Sequence, residues 1–168
     1  MDVDFAAAYL EDVRATAAYY QKLAEDAMAQ VDHAQLFAPL GEEENSVALI
    51  VKHVAGNLRS RWTDFLTTDG EKPDRDRDAE FEIRGGDERA ALMEAWERGW
   101  ATFRGTLDAL SPDDLGRTVH IRGEPHTVLR AVDRALAHAC YHVGQIVLLA
   151  KHFAGPEWRS LSIPRRHG

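Results

Sequence analysis

At 168 residues with 45% hydrophobic side chains, the chain is long enough for one sizeable core and too short for two. Twenty Lys and Arg against 28 Asp and Glu leave a net charge of -8, which repels phosphate backbones and makes nucleic acid an unexpected partner. One cysteine, Cys140, excludes a disulfide framework and any Cys-rich zinc module, so a metal site would have to draw on the eight histidines and the carboxylates.

The N-terminus reads Met1-Asp2-Val3-Asp4-Phe5, acidic where a signal or transit peptide is basic, and no apolar run approaches the roughly 18 residues of a membrane span. A cytoplasmic protein without membrane contact is expected. From residue 4 to 31, Phe5, Tyr9, Val13, Tyr20, Leu23, Ala27 and Val31 recur at helical steps and predict a long amphipathic helix. Pro39-Leu40-Gly41 and three glutamates break the pattern. Asn45 or Ser46 can then cap a second helix over 46–67, with Val47, Ile50, Val51, Val54, Leu58, Trp62 and Phe65 on one face.

Residues 67–87 are dense in charge and carry Gly70, Pro73, Gly85 and Gly86, which predicts a polar surface loop, too long for an ordinary connection and a candidate lid. Within it, Asp74-Arg75-Asp76-Arg77-Asp78 reads as a solvated, self-paired run. Leu92, Trp96, Gly99, Phe103, Thr106 and Leu110 restore the helical period and predict a third helix over 88–110. Ser111-Pro112 caps a short turn, and Arg122-Gly123-Glu124 between two alternating segments predicts a small hairpin over 117–127. Thr127 can cap the last helix, 128–153, apolar on nearly every side and stopped by Gly155-Pro156. The expected fold is therefore an all-α four-helix bundle with a crossover long enough to depart from simple up-and-down order and a β-hairpin before the last long helix, one domain over 1–168 with 154–168 as a C-terminal tail.

On the last helix His138 and His142 stand at i, i+4, about 40° apart around the axis and one turn apart along it, so both imidazoles can reach one ion. The zincin glutamate after the first His is missing, which removes the main support for metalloprotease chemistry. A third ligand must come from another helix, and His53 lies at the edge of the second helix's apolar stripe, with Gly56 nearby to admit a close neighbour. A lone histidine at such a place is more often a boundary residue bonded to a carbonyl than a ligand. Together, three neutral imidazoles and an open fourth position match catalytic divalent sites. Ligands must be neutral, so occupancy is expected to fall toward about pH 6.5.

Asn57, at i+4 from His53, and Gln145, at i+3 from His142, are candidates to orient a ligand or the ion's shell. Cys140 points to a different face from His138 and reads as a buried small residue, not a nucleophile. Trp62, Trp96, Trp100 and Phe103 read as core. His120 and His126 belong to the hairpin and could flank a pocket mouth, His152 suits the negative end of its own helix, and His33 and His167 fall in a loop and a tail without an assigned role.

One His on the second helix, a His-x-x-x-His pair on the fourth and a hairpin before it resemble the DinB-like superfamily, also called YfiT-like metalloenzymes. The resemblance spans essentially the whole chain. Residues 121–128, Ile-Arg-Gly-Glu-Pro-His-Thr-Val, with Gly155-Pro156-Glu157-Trp158 and Ser160-Leu161-Ser162-Ile163-Pro164, are similar to an uncharacterised branch of it. The resemblance implies one divalent ion per chain on His53, His138 and His142, with zinc or nickel the expected ions, and a homodimer. It also implies thiol-dependent S-transferase or isomerase-like chemistry on a small-molecule substrate, with a low-molecular-weight thiol as co-substrate. The alternatives are a metal-dependent hydrolase and a noncatalytic, metal-stabilised ligand-binding or structural dimer. No Glu or Asp adjoins the three histidines in sequence, which favours thiol activation over hydrolysis, although the loop 67–87 could supply a base.

Overall fold

The computed structural model describes residues 4–163. Helix α1 spans Phe5–Met28, a short α2 His33–Phe37, α3 Val47–Trp62, α4 Arg89–Ala109 and α5 Val128–Ala154, with a two-stranded antiparallel hairpin, β1 Thr118–Ile121 and β2 Glu124–Thr127, immediately before α5. The expected bundle and hairpin are present, and among the described residues no helix is long and apolar enough to cross a membrane.

The helix starts follow side-chain capping. Asp4 accepts from the amides of Ala6 and Ala7, Ser46 from that of Leu49 and Thr127 from that of Arg130. Two ends come earlier than the apolar pattern suggests. α1 stops at Met28, where the Arg89 guanidinium donates to the carbonyls of Met28 and Val31, taking the acceptors a further turn would have used. α3 stops at Trp62, ahead of a turn in which Asp64 adopts φ 48°, and Phe65 is buried from that turn and not from a helix. His33 opens α2, which Asp32 and Gln35 close at its N-terminus with a reciprocal capping box, so it is not a loop residue. His167 lies outside the described residues.

Side-chain contacts fix the order of the helices. Arg14 reaches the carbonyls of Leu107 and Leu110 while Trp96 reaches Glu25, so α1 and α4 run antiparallel. Tyr9 bonds Asp133 and Tyr20 meets Cys140, so α1 and α5 run parallel. Thr106 donates to the Trp62 carbonyl and Gly99 abuts Ala55, which makes α3 and α4 parallel neighbours. A Cβ on Gly99 would lie 2.8 Å from the Ala55 carbonyl oxygen, so this contact requires glycine.

Parallel neighbours joined in sequence need a connection that returns the full length of the first helix, about 24 Å for the 16 residues of α3. Residues 63–88 make that return, and this is why the loop is long. It is also packed. Ala79 and Glu80 are buried in a 3-10 turn, and in the run 74–78 Asp74, Asp76, Arg77 and Asp78 are exposed as expected while the Arg75 side chain is 3% exposed. The run is not self-paired: Arg75 binds Glu80 and Glu71, and Asp74 binds Arg59. The loop is fastened to the hairpin: Gly70 donates to the His120 carbonyl, and the Asp69 carboxylate accepts from the amides of Arg122 and Gly123 in the hairpin turn.

One continuous core links the four long helices, with Trp96, Trp100 and Phe103 essentially inaccessible and Trp62 stacked against Phe65 and Phe103 at centroid distances of 4.3 and 4.5 Å. Each such ring contributes about 1.5–3 kcal/mol by burial alone. α5 is not buried on every side: Tyr141, Gly144 and Leu148 face solvent, while His142, Val143, Ile146 and Leu149 face the core. The tail expected from residue 154 is tied down in part, since Gln30 exchanges two hydrogen bonds with the Arg159 backbone.

Candidate metal centre

His53 sits midway along α3, and His138 and His142 lie one turn apart on α5, which packs antiparallel to α3. The i, i+4 spacing of the pair and the crossing of the helices bring the three rings together. One ring nitrogen from each lies within 4.8 Å of the other two, and the His53 and His138 Nε2 atoms are 3.2 Å apart. Ligands about 2.0–2.1 Å from a tetrahedral zinc stand about 3.3 Å from one another, so that separation suits two nitrogens on one ion.

The tautomers point the same way. Glu80 accepts from His53 Nδ1–H at 2.9 Å, and Gln145 Oε1 accepts from His142 Nδ1–H at 2.8 Å, so both Nε2 atoms carry lone pairs. His142 Nε2 is buried without any hydrogen-bond partner, an expensive condition that a cation would relieve. Three converging imidazole nitrogens, two of them with lone pairs fixed and one of these orphaned, fit a divalent cation and can hold one.

Glu80 is the residue that sequence reasoning missed. Its carboxylate stands between His53 Nδ1 and the Arg75 guanidinium, which binds both carboxylate oxygens at 2.8 Å. The three side chains are 6%, 8% and 3% exposed. Burial pushes the Glu80 carboxyl up, but the hydrogen bonds from His53 and Arg75 outweigh it and hold the group below its usual range. Such a carboxylate–histidine pair fixes ring orientation and raises the ligand's basicity. The signal was Ala79-Glu80-Phe81, the place in a polar loop where apolar residues flank an acid and draw it inward.

Gly56 is explained by the same contact. The neighbour it admits is not another helix: a Cβ there would lie 2.3 Å from Glu80 Oε1. Of the two orienting candidates, Gln145 bonds His142, while Asn57 lines the cavity beside the histidines. Cys140 is half-buried beside Tyr20, outside the cavity lining, and burial pushes its thiol up, away from nucleophile character. His120 and His126 are absent from the lining too, although their hairpin contributes Ile121 and Arg122 to it.

Burial, reinforced by the neighbouring His142 and His53, depresses the His138 imidazole to about 3, and burial also lowers His142. The pH window for losing neutral ligands therefore shifts downward from 6.5 for these two residues. The cavity reached from His53 and His138 has a volume of about 180 Å³ and is walled by α3, α5, the hairpin and the loop. His, Asn and Arg side chains with aromatic and aliphatic groups line it, and among the described residues no carboxylate does.

No curated protein and no solved structure matches the chain significantly. The family model described as a protein of unknown function (DUF1572) matches residues 4–167, nearly the whole chain, and the protein belongs to that family.

Proposed function

We propose that this protein is a metal-dependent enzyme of the DinB/YfiT-like type, in which His53, His138 and His142 hold one divalent ion and the open position takes a small thiol. The carrying observation is the orphaned, buried His142 Nε2 facing two further imidazole nitrogens beside a cavity. A divalent ion there would lower the pKa of a thiol or water in its open position. The chain's own groups do the rest. Glu80, clamped by Arg75, keeps the His53 proton on Nδ1, Gln145 does the same for His142, and Asn57 can orient a bound molecule.

Two comparisons favour transfer to or from a thiol. Glu80 has both oxygens committed and lies behind His53, so the loop provides a positioning carboxylate and not a general base, which weighs against hydrolysis. Among the described residues the cluster offers three protein ligands and not four, which weighs against a closed structural site.

Cobalt substitution tests the reading. Titration of the cobalt protein with 2-mercaptoethanol should produce a saturable thiolate charge-transfer band that Cys140→Ser retains and His142→Ala abolishes. Ligand-field bands unmoved by thiols would refute it.

A further inference from the structure

We propose that the end of this cavity remote from the histidines is a binding site for a carboxylate or phosphate group, carried by the same small molecule whose other end reaches the metal position. The inference deepens the reading above by naming a substrate class, and it stands on different residues. Five arginines line the cavity, Arg61, Arg75, Arg77, Arg122 and Arg134, in a chain whose net charge is -8.

Their carboxylate partners are few. Glu71 is shared by Arg61, Arg75 and Arg122, and Glu80 is taken by Arg75. Asp69, close by, spends its oxygens on backbone amides of the loop and the hairpin turn. Arg77 and Arg134 form no ion pair among the described residues. Two buried donors on lining residues, Arg61 Nη1 and Trp62 Nε1, have no acceptor. Unpaired buried donors are costly, and an anion supplies the acceptors that both lack. Burial and the neighbouring guanidiniums pull Arg61 down to about 10, still charged at neutral pH.

The placement is polar along the cavity. On α3, His53, Asn57 and Arg61 follow at successive turns, which puts Arg61 about 12 Å along the axis from His53. On the antiparallel α5, Arg134 stands one turn before His138, toward the same end. The hairpin adds Arg122, held at φ 58° in a turn where glycine or asparagine is usual, a strained conformation that Asp69 and Glu71 maintain. Arg75, bound to Glu80, and Arg77, over the Phe81 ring that packs on His53, stand nearer the histidines, so the remote end is made by Arg61, Arg122 and Arg134. A cation site at one end and these three guanidiniums at the other suit a short molecule with a metal-binding atom and a distal anionic group.

Calorimetry on zinc-loaded and EDTA-treated protein tests this with four probes: mercaptosuccinate, 2-mercaptoethanol, succinate and inorganic phosphate. Zinc-loaded protein should bind mercaptosuccinate at least tenfold more tightly than 2-mercaptoethanol. Arg134→Gln and Arg61→Gln should each erase that preference, while Arg98→Gln on the outer face of α4 keeps it. Arg134 is exposed, so its variant should fold even if the Arg61 variant does not. EDTA-treated protein should still bind succinate or phosphate, whichever matches the native group, and lose that binding in Arg134→Gln. If the metal reading fails, the thiols give no zinc-dependent binding while the arginine-dependent anion binding persists. Equal affinity for the two thiols with no binding of succinate or phosphate overturns the proposal, as does anion binding unchanged in both arginine variants.

Discussion

Gly56→Ala tests the link between the loop and the centre without touching a ligand. The new methyl carbon would stand 2.3 Å from Glu80 Oε1 and 2.9 Å from its carboxyl carbon, both inside the 3.0 Å that real contacts respect. The carboxylate must retreat by about 1 Å to reach ordinary van der Waals distance. It is pinned on one side by Arg75 at 2.8 Å and on the other by His53 at 2.9 Å, so the retreat breaks at least one of these bonds. Losing the group that orients a metal-binding histidine typically costs 10–100-fold in affinity, about 1.4–2.7 kcal/mol. Alanine in the helix interior returns about 1 kcal/mol. Loosening a buried ion pair costs more than that, so the apo protein should be destabilised by about 1–3 kcal/mol. Competition against a chromophoric chelator gives the affinity, and thermal melting gives the stability. Glu80→Ala removes the colliding group, so Gly56→Ala added to it should weaken metal binding little further. Wild-type affinity in Gly56→Ala, or full additivity in the double variant, would refute the reasoning.

In the metal-free protein the His138 ring should titrate near pH 3 and not 6.5, observable by NMR of imidazole carbons. Its folded-state pKa lies below the unfolded one, so the unfolded chain takes up the proton first and apo stability should decline as pH falls from about 6.5 toward 3; a normal titration contradicts this. Asp69 behaves as a depressed carboxyl, held at about 2 by the amides of Glu71 and Gly123. The stability it confers is present above its ordinary 3.8 and lost as pH falls through 2, so the Tm advantage of wild type over Asp69→Asn should shrink across that interval. We also propose a homodimer through the outer face of α5, where Ala137, Tyr141, Gly144 and Leu148 make an exposed stripe at helical spacing. Light scattering should give a dimer mass that Leu148→Glu halves, and a wild-type monomer at micromolar concentration counts against it.

The sequence carried the elements whose signals are local. Periodicity located the four long helices, Ser46 and Thr127 marked two of their starts, and i, i+4 spacing paired His138 with His142. The long connection pointed to a departure from simple up-and-down order, which the parallel α3 and α4 show, but not to which neighbours run parallel. Because α3 and α4 are parallel, the connection passes back beside His53 and packs, and within 67–87 the apolar flanks of Glu80 in Ala79-Glu80-Phe81 are a single short signal of that path. Glu80, Arg75 and the true neighbour of Gly56 all follow from that one topological fact. The guanidinium lining is likewise spread over α3, the loop, the hairpin and α5, and its members adjoin only after folding.

The most direct test of the central claim is elemental analysis of untagged protein beside His53→Ala, His138→Ala and His142→Ala. The account predicts close to one divalent ion per chain in the wild type and a large loss in each variant that remains folded by circular dichroism. Metal content undiminished in all three variants would contradict it.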